Sequence, residues 1–525
     1  MQEQDNNAVN ELSRRGLLMG TAAGGLLIAG SGAMLAPSAN AATVKLKKGG
    51  VLRVAVGEGG ANDTQDAHLG GFTGDSARAF QLYDRLVIRD SKFKIVNELA
   101  DSFTPNKTGN VWTVRVKKGV KFHNGRTLTA DDVIFTIQRI LDPATRAIRA
   151  SQLANVDAAK LKKVDQYTVA ITLKTADVTF DEQFSDYAMG IVPVGYNPAT
   201  PVGTGPFKAS SFTPGVKSVY TKNTSYWRTG EPYVDSVEIY VVTDESARVN
   251  GLISGQFDCI TDLPTSQIST VKANSKLAIL NAKTGSYVPV AMNTKKTPFQ
   301  DVRVRQAMRL LVDREAIVKN VYGGYAAIGN DVIGCYDEAY SPTLFPQRKF
   351  DPEKAKSLLK AAGVSNLALE INYTDGPTGM AEIPLAFKTS AKKAAVEISA
   401  KKIGGEFWDN FLGGYAIQMD YYTNRTYLQQ ASTVYKGGSY AMETGWSNAK
   451  YNALVAKAKT TASKSLRNEI IQDAMKIEYE EGAYIVSSFY NKFDGLSAAI
   501  SGFGSGHPSG NALNNFTLRS VGFKA

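Results

Sequence analysis

The stretch from Val111 to Leu141 constrains the fold more than any other, because it spells a strand, a turn and a capped helix in succession. Trp112, Val114 and Val116 alternate with Thr113, Arg115 and Lys117, the period of a strand with one face buried. Asn124-Gly125 is a turn dipeptide, since both residues tolerate positive φ. Thr129-Ala-Asp-Asp132 is a helix start, with a hydroxyl to cap free N–H groups and carboxylates at the positive end of the helix dipole. Val133, Ile134, Ile137, Ile140 and Leu141 then make one apolar face, and Asp142-Pro143 ends the helix. These signals describe α/β structure and carry no chemistry by themselves.

The chain opens on a targeting pattern. Ser13-Arg14-Arg15-Gly16-Leu17-Leu18 is a twin-arginine motif, an apolar Gly/Ala-rich run extends to about Ala36, and Ala39-Asn40-Ala41 is a small-x-small cleavage site. The expectation is a signal peptide over 1–41, cleaved after Ala41; the alternative is an uncleaved anchor. No later run of about 18 apolar residues follows. A twin-arginine leader implies export of a folded protein by the twin-arginine translocase, hence an envelope location. The remaining chain is long enough for two or three lobes. The full chain carries a net charge of +11. Its Lys and Arg are spread thinly, with no run longer than two, so a solvated basic surface is expected rather than a nucleic-acid partner. In an oxidising compartment the default for Cys259 and Cys335 is one disulfide, with two buried thiols as the alternative.

Further motifs follow in order. Val51–Val56 is a strand, and a Gly-rich loop extends to Asp75 with Gly70-Gly71-Phe72-Thr73 at its end. Then come Tyr83-Asp-Arg-Leu86, the alternating Tyr167–Leu173, Val202-Gly-Thr-Gly-Pro-Phe207, Asn223–Trp227, Gly255-Gln-Phe-Asp258 and Thr297-Pro-Phe-Gln-Asp301-Val-Arg303. Asp351-Pro352 opens a helix with Ala355, Leu358, Leu359 and Ala362 on one face and Gly363 at its end. Two helices are expected over about Tyr451–Glu481, then a strand over Ala483–Phe489.

Taken in order, these motifs resemble those of the family 5 solute-binding proteins of ABC importers, the dipeptide-, oligopeptide-, opine- and nickel-binding type. The resemblance covers essentially the whole chain after the leader. It implies an α/β periplasmic binding protein-like fold (type II, large three-lobed form) with mixed sheets. The implied lobe I is discontinuous, 42–85 plus 200–286 plus 488–525; lobe II is 86–199 and lobe III 287–487. It also implies hinge closure between lobes one and three near Tyr287–Met292 and Ile485–Ser487, a periplasmic location, a monomer, and a permease in the inner membrane as partner.

The same resemblance points to a ligand site. Gly413–Leu428 looks like the family segment whose Asp pairs with a ligand ammonium, and Asp420 falls on that position with Tyr421 in register. Ala416 and Ile417 stand where the family has Gly-Trp, and Asn424 replaces its Pro. The region where dipeptide-type members carry an Arg reads Tyr373–Thr378 here, with Asp375 near that position and no Arg. Arg425 or Lys388 is then the candidate for a ligand carboxylate. Gly71, Phe72, Thr73 and Tyr287 complete the expected site. The expected ligand is a small amine-bearing solute, peptide or opine-like. His68, His123 and His507 are scattered, with no zinc spacing, no nucleophile elbow and no phosphate loop. No metal, cofactor or catalysis is expected; a secreted peptide or amide hydrolase and a sensory receptor on the same fold are the alternatives.

Overall fold

A computed structural model describes residues 44–435 and 437–525. The leader, with its twin-arginine motif and cleavage site, lies outside the described residues.

The architecture is mixed α/β. An eight-stranded sheet runs Leu277–Lys283, Ser488–Ser497, Cys259–Ile260, Val51–Val56, Ser236–Val241, Lys217–Lys222 and Phe207–Thr213, with Ala326–Ile328 also paired to Ser488–Ser497. Val51–Val56 is parallel to both its neighbours, while the outer pairings are antiparallel. A five-stranded sheet runs Glu397–Lys402, Ala368–Tyr373, Ile417–Met419, Val290–Met292 and Tyr484–Ile485. A four-stranded antiparallel sheet joins Ala100–Pro105, Val111–Val116, Thr168–Thr172 and Lys162–Asp165. The chain crosses between the first two sheets four times: between Lys283 and Val290, on either side of Ala326–Ile328, and at Val486-Ser487. The strand expected over Ala483–Phe489 is therefore split between two sheets at that crossing.

Local signals explain these elements. In Val111–Val116 the side chains of Trp112, Val114 and Val116 are buried while Thr113 and Arg115 are exposed. Helix Ala130–Leu141 buries Val133, Ile137 and Ile140; Ile134 and Leu141 only flank the core. Its start differs in detail from the expected cap. The Asp132 carboxylate accepts from the Thr129 N–H (2.9 Å) and hydroxyl (3.1 Å), so the acid in the first turn closes back on the cap residue. Asp351 caps Pro352–Ala361 through the Lys354 N–H at 2.9 Å, and Ala355 and Leu359 enter the core. The two C-terminal helices are Ala449–Thr460 and Lys464–Glu481.

Four of the motifs meet in one buried knot. Asp84 accepts from the Thr204 hydroxyl (3.0 Å), the Tyr226 hydroxyl (3.0 Å) and the Trp227 indole N–H (2.8 Å). The His123 backbone N–H donates to Gly203 O, its ring Nε2 lies 3.0 Å from Gly205 O, and the Gly203 N–H points at its Nδ1. Burial pushes the His123 pKa down to about 4, so the ring is neutral and acts as a structural bracket. Gly203 and Gly205 lie against the backbone at the end of helix Thr73–Leu82. A Cβ at Gly203 would stand 2.0 Å from Leu82 O, and one at Gly205 2.4 Å from Gln81 O. Only glycine fits this approach.

The expected disulfide is not formed. Cys259 is buried in the eight-stranded sheet among Val54, Val56 and Leu496, whereas Cys335 packs against a different cluster around Tyr427 and Trp446. Both thiols are free, and burial raises the pKa of each. Among the described residues, no helix is long and apolar enough to cross a membrane.

Candidate functional site

A cavity among the described residues has a volume of about 780 Å³. One wall is the end of the Gly-rich loop, Gly71-Phe72-Thr73, with Glu58 beside it. A second wall carries Arg89, Arg149, Glu182 and Asp186. A third is Thr423–Arg425 with Leu428, Gln429 and Tyr440, and the floor comes from the C-terminal segment through His507, Ser509 and Asn515. Its walls are therefore drawn from segments far apart in the chain, and polar groups dominate them.

Neutral and charged pairs brace these walls. The Glu58 carboxylate accepts from the Thr73 hydroxyl (2.6 Å) and N–H (3.2 Å). Asp75 accepts from the N–H groups of Gly71 and Phe72, both at 3.1 Å, which fixes the loop backbone. Glu182 accepts from Arg89 (3.2 Å) and from the Thr426 hydroxyl (2.6 Å), while Arg89 also donates to Gln429 at 3.0 Å. These bonds join the segment around Arg89 and Glu182 to the one around Thr426. Burial raises the Glu182 pKa. Arg149 is held by Asp186 at 2.8 Å, which raises the arginine pKa.

Of the residues singled out from the sequence, Gly71, Phe72, Thr73 and Arg425 line this cavity. The others do not, each for its own reason. Tyr287 is 2 % exposed and packs against Tyr422 and Phe489. Ile417 lies in the core of the five-stranded sheet, and Ala416 packs against that core. Asp375 is on the surface, paired with Lys402 at 2.8 Å. Tyr421 is exposed beside Trp408, in an aromatic series Tyr440–Phe411–Trp408–Tyr421 that leads outward from the cavity wall.

Asp420 needs fuller description. It is 4 % exposed, and its Oδ1 accepts from the Tyr421 N–H at 2.7 Å. Burial raises its pKa to about 6. The neighbouring carboxyl is Glu443, which accepts from the Tyr422 hydroxyl (2.6 Å) and the Tyr484 hydroxyl. Burial first, and then Asp420, push the Glu443 pKa well above the usual carboxylate range. Each of these buried, interacting carboxyls disfavours ionisation of the other. Asp420 is thus part of an acid pair beneath Tyr421, outside the cavity lining.

Sequence reasoning missed Glu58, Arg89, Arg149, Glu182 and the C-terminal floor. The floor had one legible signal: Gly504–Asn511 is a polar, Gly/Ser-rich run with a histidine and no hydrophobic period. Its geometry is unusual. Leu513, Asn514, Asn515 and Phe516 all have positive φ, from +46° to +59°. Such a left-handed run costs about 1–2 kcal/mol per residue, so other bonds must hold it. Asn514 supplies several: its Oδ1 accepts from the His507 N–H (2.8 Å), and its Nδ2 donates to the carbonyls of Phe503 and Ser505. Asp494 accepts from the Leu513 N–H at 2.6 Å.

The model of the bacterial extracellular solute-binding proteins, family 5 (middle), matches residues 94–453. The chain belongs to this family. Heme-binding protein A of Haemophilus influenzae is 27% identical over 480 residues, spanning 82% of this chain and 86% of the relative. Glutathione-binding protein GsiB of Pectobacterium atrosepticum is 30% identical over 303 residues, 55% of this chain and 57% of the relative. Among solved structures, the ABC transporter-associated periplasmic binding protein DppA of Helicobacter pylori, in complex with the peptide STSA, superposes with a TM-score of 0.74 at 20% identity, covering 91% of this chain and 99% of that one. The fold is thus the family 5 periplasmic binding protein type, and the chain is an extracellular solute-binding protein of that family. The cavity, with walls from segments far apart in the chain, is the candidate site for a solute.

Proposed function

We propose that this protein captures a small amine-bearing solute, peptide or opine-like, in the cavity and delivers it to an inner-membrane ABC permease. The observation that carries this reading is a polar cavity of about 780 Å³ shared between the Gly71–Thr73 loop and the Thr423–Tyr440 segment. That volume suits a small solute. Relatives named for glutathione and heme, and a structural relative holding a peptide, place small organic solutes within the family's range. The protein performs no chemistry on the solute. Capture is a shift of an open–closed equilibrium by a solute touching both sides. In this account the lobes are 42–85 with 200–286 and 488–525, then 86–199, then 287–487, and they close about Tyr287–Met292 and Ile485–Ser487. The chain is exported through its twin-arginine leader, cleaved after Ala41, and works in the periplasm as a monomer.

The test is a thermal-shift screen of the mature protein, refolded to strip carried-over solute, against di- and oligopeptides, opines, polyamines and nickel chelates. A bound solute at a hundredfold excess over Kd stabilises the folded state by about 2.7 kcal/mol. The expected result is a rise in Tm with one amine-bearing class, with that compound recovered unchanged. Turnover of the compound, or a response confined to amine-free compounds, would sink the reading.

A further inference from the structure

Residues 86–199 are held very unequally on two sides. Toward the eight-stranded sheet, buried groups fix them. Arg139 pairs with Asp66 at 2.6 Å and Glu98 with Arg228 at 3.3 Å, while His123 brackets Gly203 and Gly205. Asp66 and Glu98 are both buried. Toward 423–464, three hydrogen bonds span the seam among the described residues. The Thr426 hydroxyl donates to Glu182 at 2.6 Å, Arg89 donates to Gln429 at 3.0 Å, and the Val178 N–H donates to the Lys459 carbonyl at 2.7 Å. The ion pair Lys94–Glu338, at 3.9 Å, is exposed and adds little.

The two sides differ in what separation costs. Parting 86–199 from the sheet would leave Asp66 and Glu98 without the arginines across the boundary, and a buried charge that loses a partner is strongly unfavourable. Parting it from 423–464 leaves Glu182 and Arg89 paired with each other at 3.2 Å and exchanges three hydrogen bonds for bonds to water, a small net change. The seam is therefore the line along which the molecule opens most readily. It also runs along the cavity, since Arg89, Glu182, Gln429 and Lys459 all line it.

We propose that these three bonds form a latch that holds 86–199 against 423–464, with Thr426 as the positioning residue that sets the closed fraction. Thr426 lies outside the cavity lining, so its hydroxyl acts through Glu182 and not on a solute. The latch goes beyond the solute-capture reading and is tested with no solute present.

The experiment measures a distance across the seam by double electron–electron resonance in the refolded mature protein. One spin label is at Lys107→Cys, in the turn whose Gly109 carbonyl accepts from the Asp177 N–H at 2.9 Å, and the other at Leu466→Cys, on the exposed side of helix Lys464–Glu481. A parent without introduced cysteines checks that the buried native thiols take no label. Thr426→Val and Thr426→Ser are made in the labelled background. Thr426 precedes helix Tyr427–Val434 without a side-chain capping bond, so valine keeps the shape and removes only the seam bond. Tm values check that each variant is folded. The expected result is a short and a long distance in the unsubstituted protein, a closed-to-open ratio about tenfold lower in Thr426→Val, and recovery in Thr426→Ser. Equal distributions in all three proteins, or no short distance before substitution, overturn the latch. A loss as large in Thr426→Ser as in Thr426→Val assigns the effect to methyl packing and overturns it too. None of these outcomes touches solute capture, which the thermal-shift screen decides separately.

Discussion

Gly205→Ala lowers the stability of the mature protein by about 3 kcal/mol or more, and Gly203→Ala does the same. The new Cβ at 205 would sit 2.4 Å from Gln81 O and 2.5 Å from Leu82 C, and at 203 it would sit 2.0 Å from Leu82 O. These are backbone atoms at a helix end, so no rotamer change relieves the clash and the turn must move away. Moving it strains the hydrogen bonds from His123 to Gly203 and Gly205 and from Thr204 to Asp84. Overpacking alone typically costs 1–3 kcal/mol, and loss of a buried network adds to it. Urea unfolding of the purified variants measures the effect as a lowered midpoint. A midpoint equal to wild type would show that the turn does not abut Gln81 and Leu82.

Glu478→Gln is expected to stabilise the protein at pH 8 and to leave it unchanged at pH 4. Glu478 is fully buried; the Tyr435 hydroxyl donates to its Oε1 at 2.6 Å, and its Oε2 has no partner among the described residues. Burial raises its pKa from 4.5 to about 7. Because the folded state binds this proton more tightly than the unfolded state, stability is full below about pH 4.5 and is lost as pH rises to about 7. Above pH 7 the ionised carboxylate costs on the order of 3 kcal/mol, which the neutral amide removes. Asp494, Asp84 and Asp420, with pKa values raised to about 7, 6 and 6, tilt the wild type the same way. Glu98 and Asp331, lowered by their arginines, pull in the opposite direction below about pH 4. Denaturant midpoints at pH 4, 5 and 8 should therefore fall with pH above 5 in wild type and fall less in Glu478→Gln. Parallel profiles for the two proteins would mean that Glu478 is ionised in the fold without penalty.

The elements legible in the sequence were those whose signal is local. Trp112, Val114 and Val116 announce a strand because a half-buried strand repeats every two residues, and Asp351-Pro352 announces a helix because cap and φ chemistry act within one turn. The family was legible because four of its motifs are parts of one knot, with Asp84 bonded to Thr204, Tyr226 and Trp227 and His123 to Gly203 and Gly205. The lining of the candidate cavity was legible only in part. Gly71–Thr73 and Arg425 reach the cavity, but their neighbours in sequence do not: Ile417 and Asp420 belong to or follow a short strand whose side chains turn into the core and toward Glu443. Glu58, Arg149 and His507 escaped because a cavity wall is assembled by tertiary packing, and a lone charge in a loop looks the same in sequence whether it faces a ligand or bulk water. The disulfide expectation failed similarly: counting two cysteines says nothing of the separate clusters that hold Cys259 and Cys335.

Solute capture by closure is tested most directly by small-angle X-ray scattering of the refolded mature protein, without and with the compound that most raises its Tm. The account predicts a smaller radius of gyration with the compound. An identical scattering profile with and without a compound that demonstrably binds would contradict it.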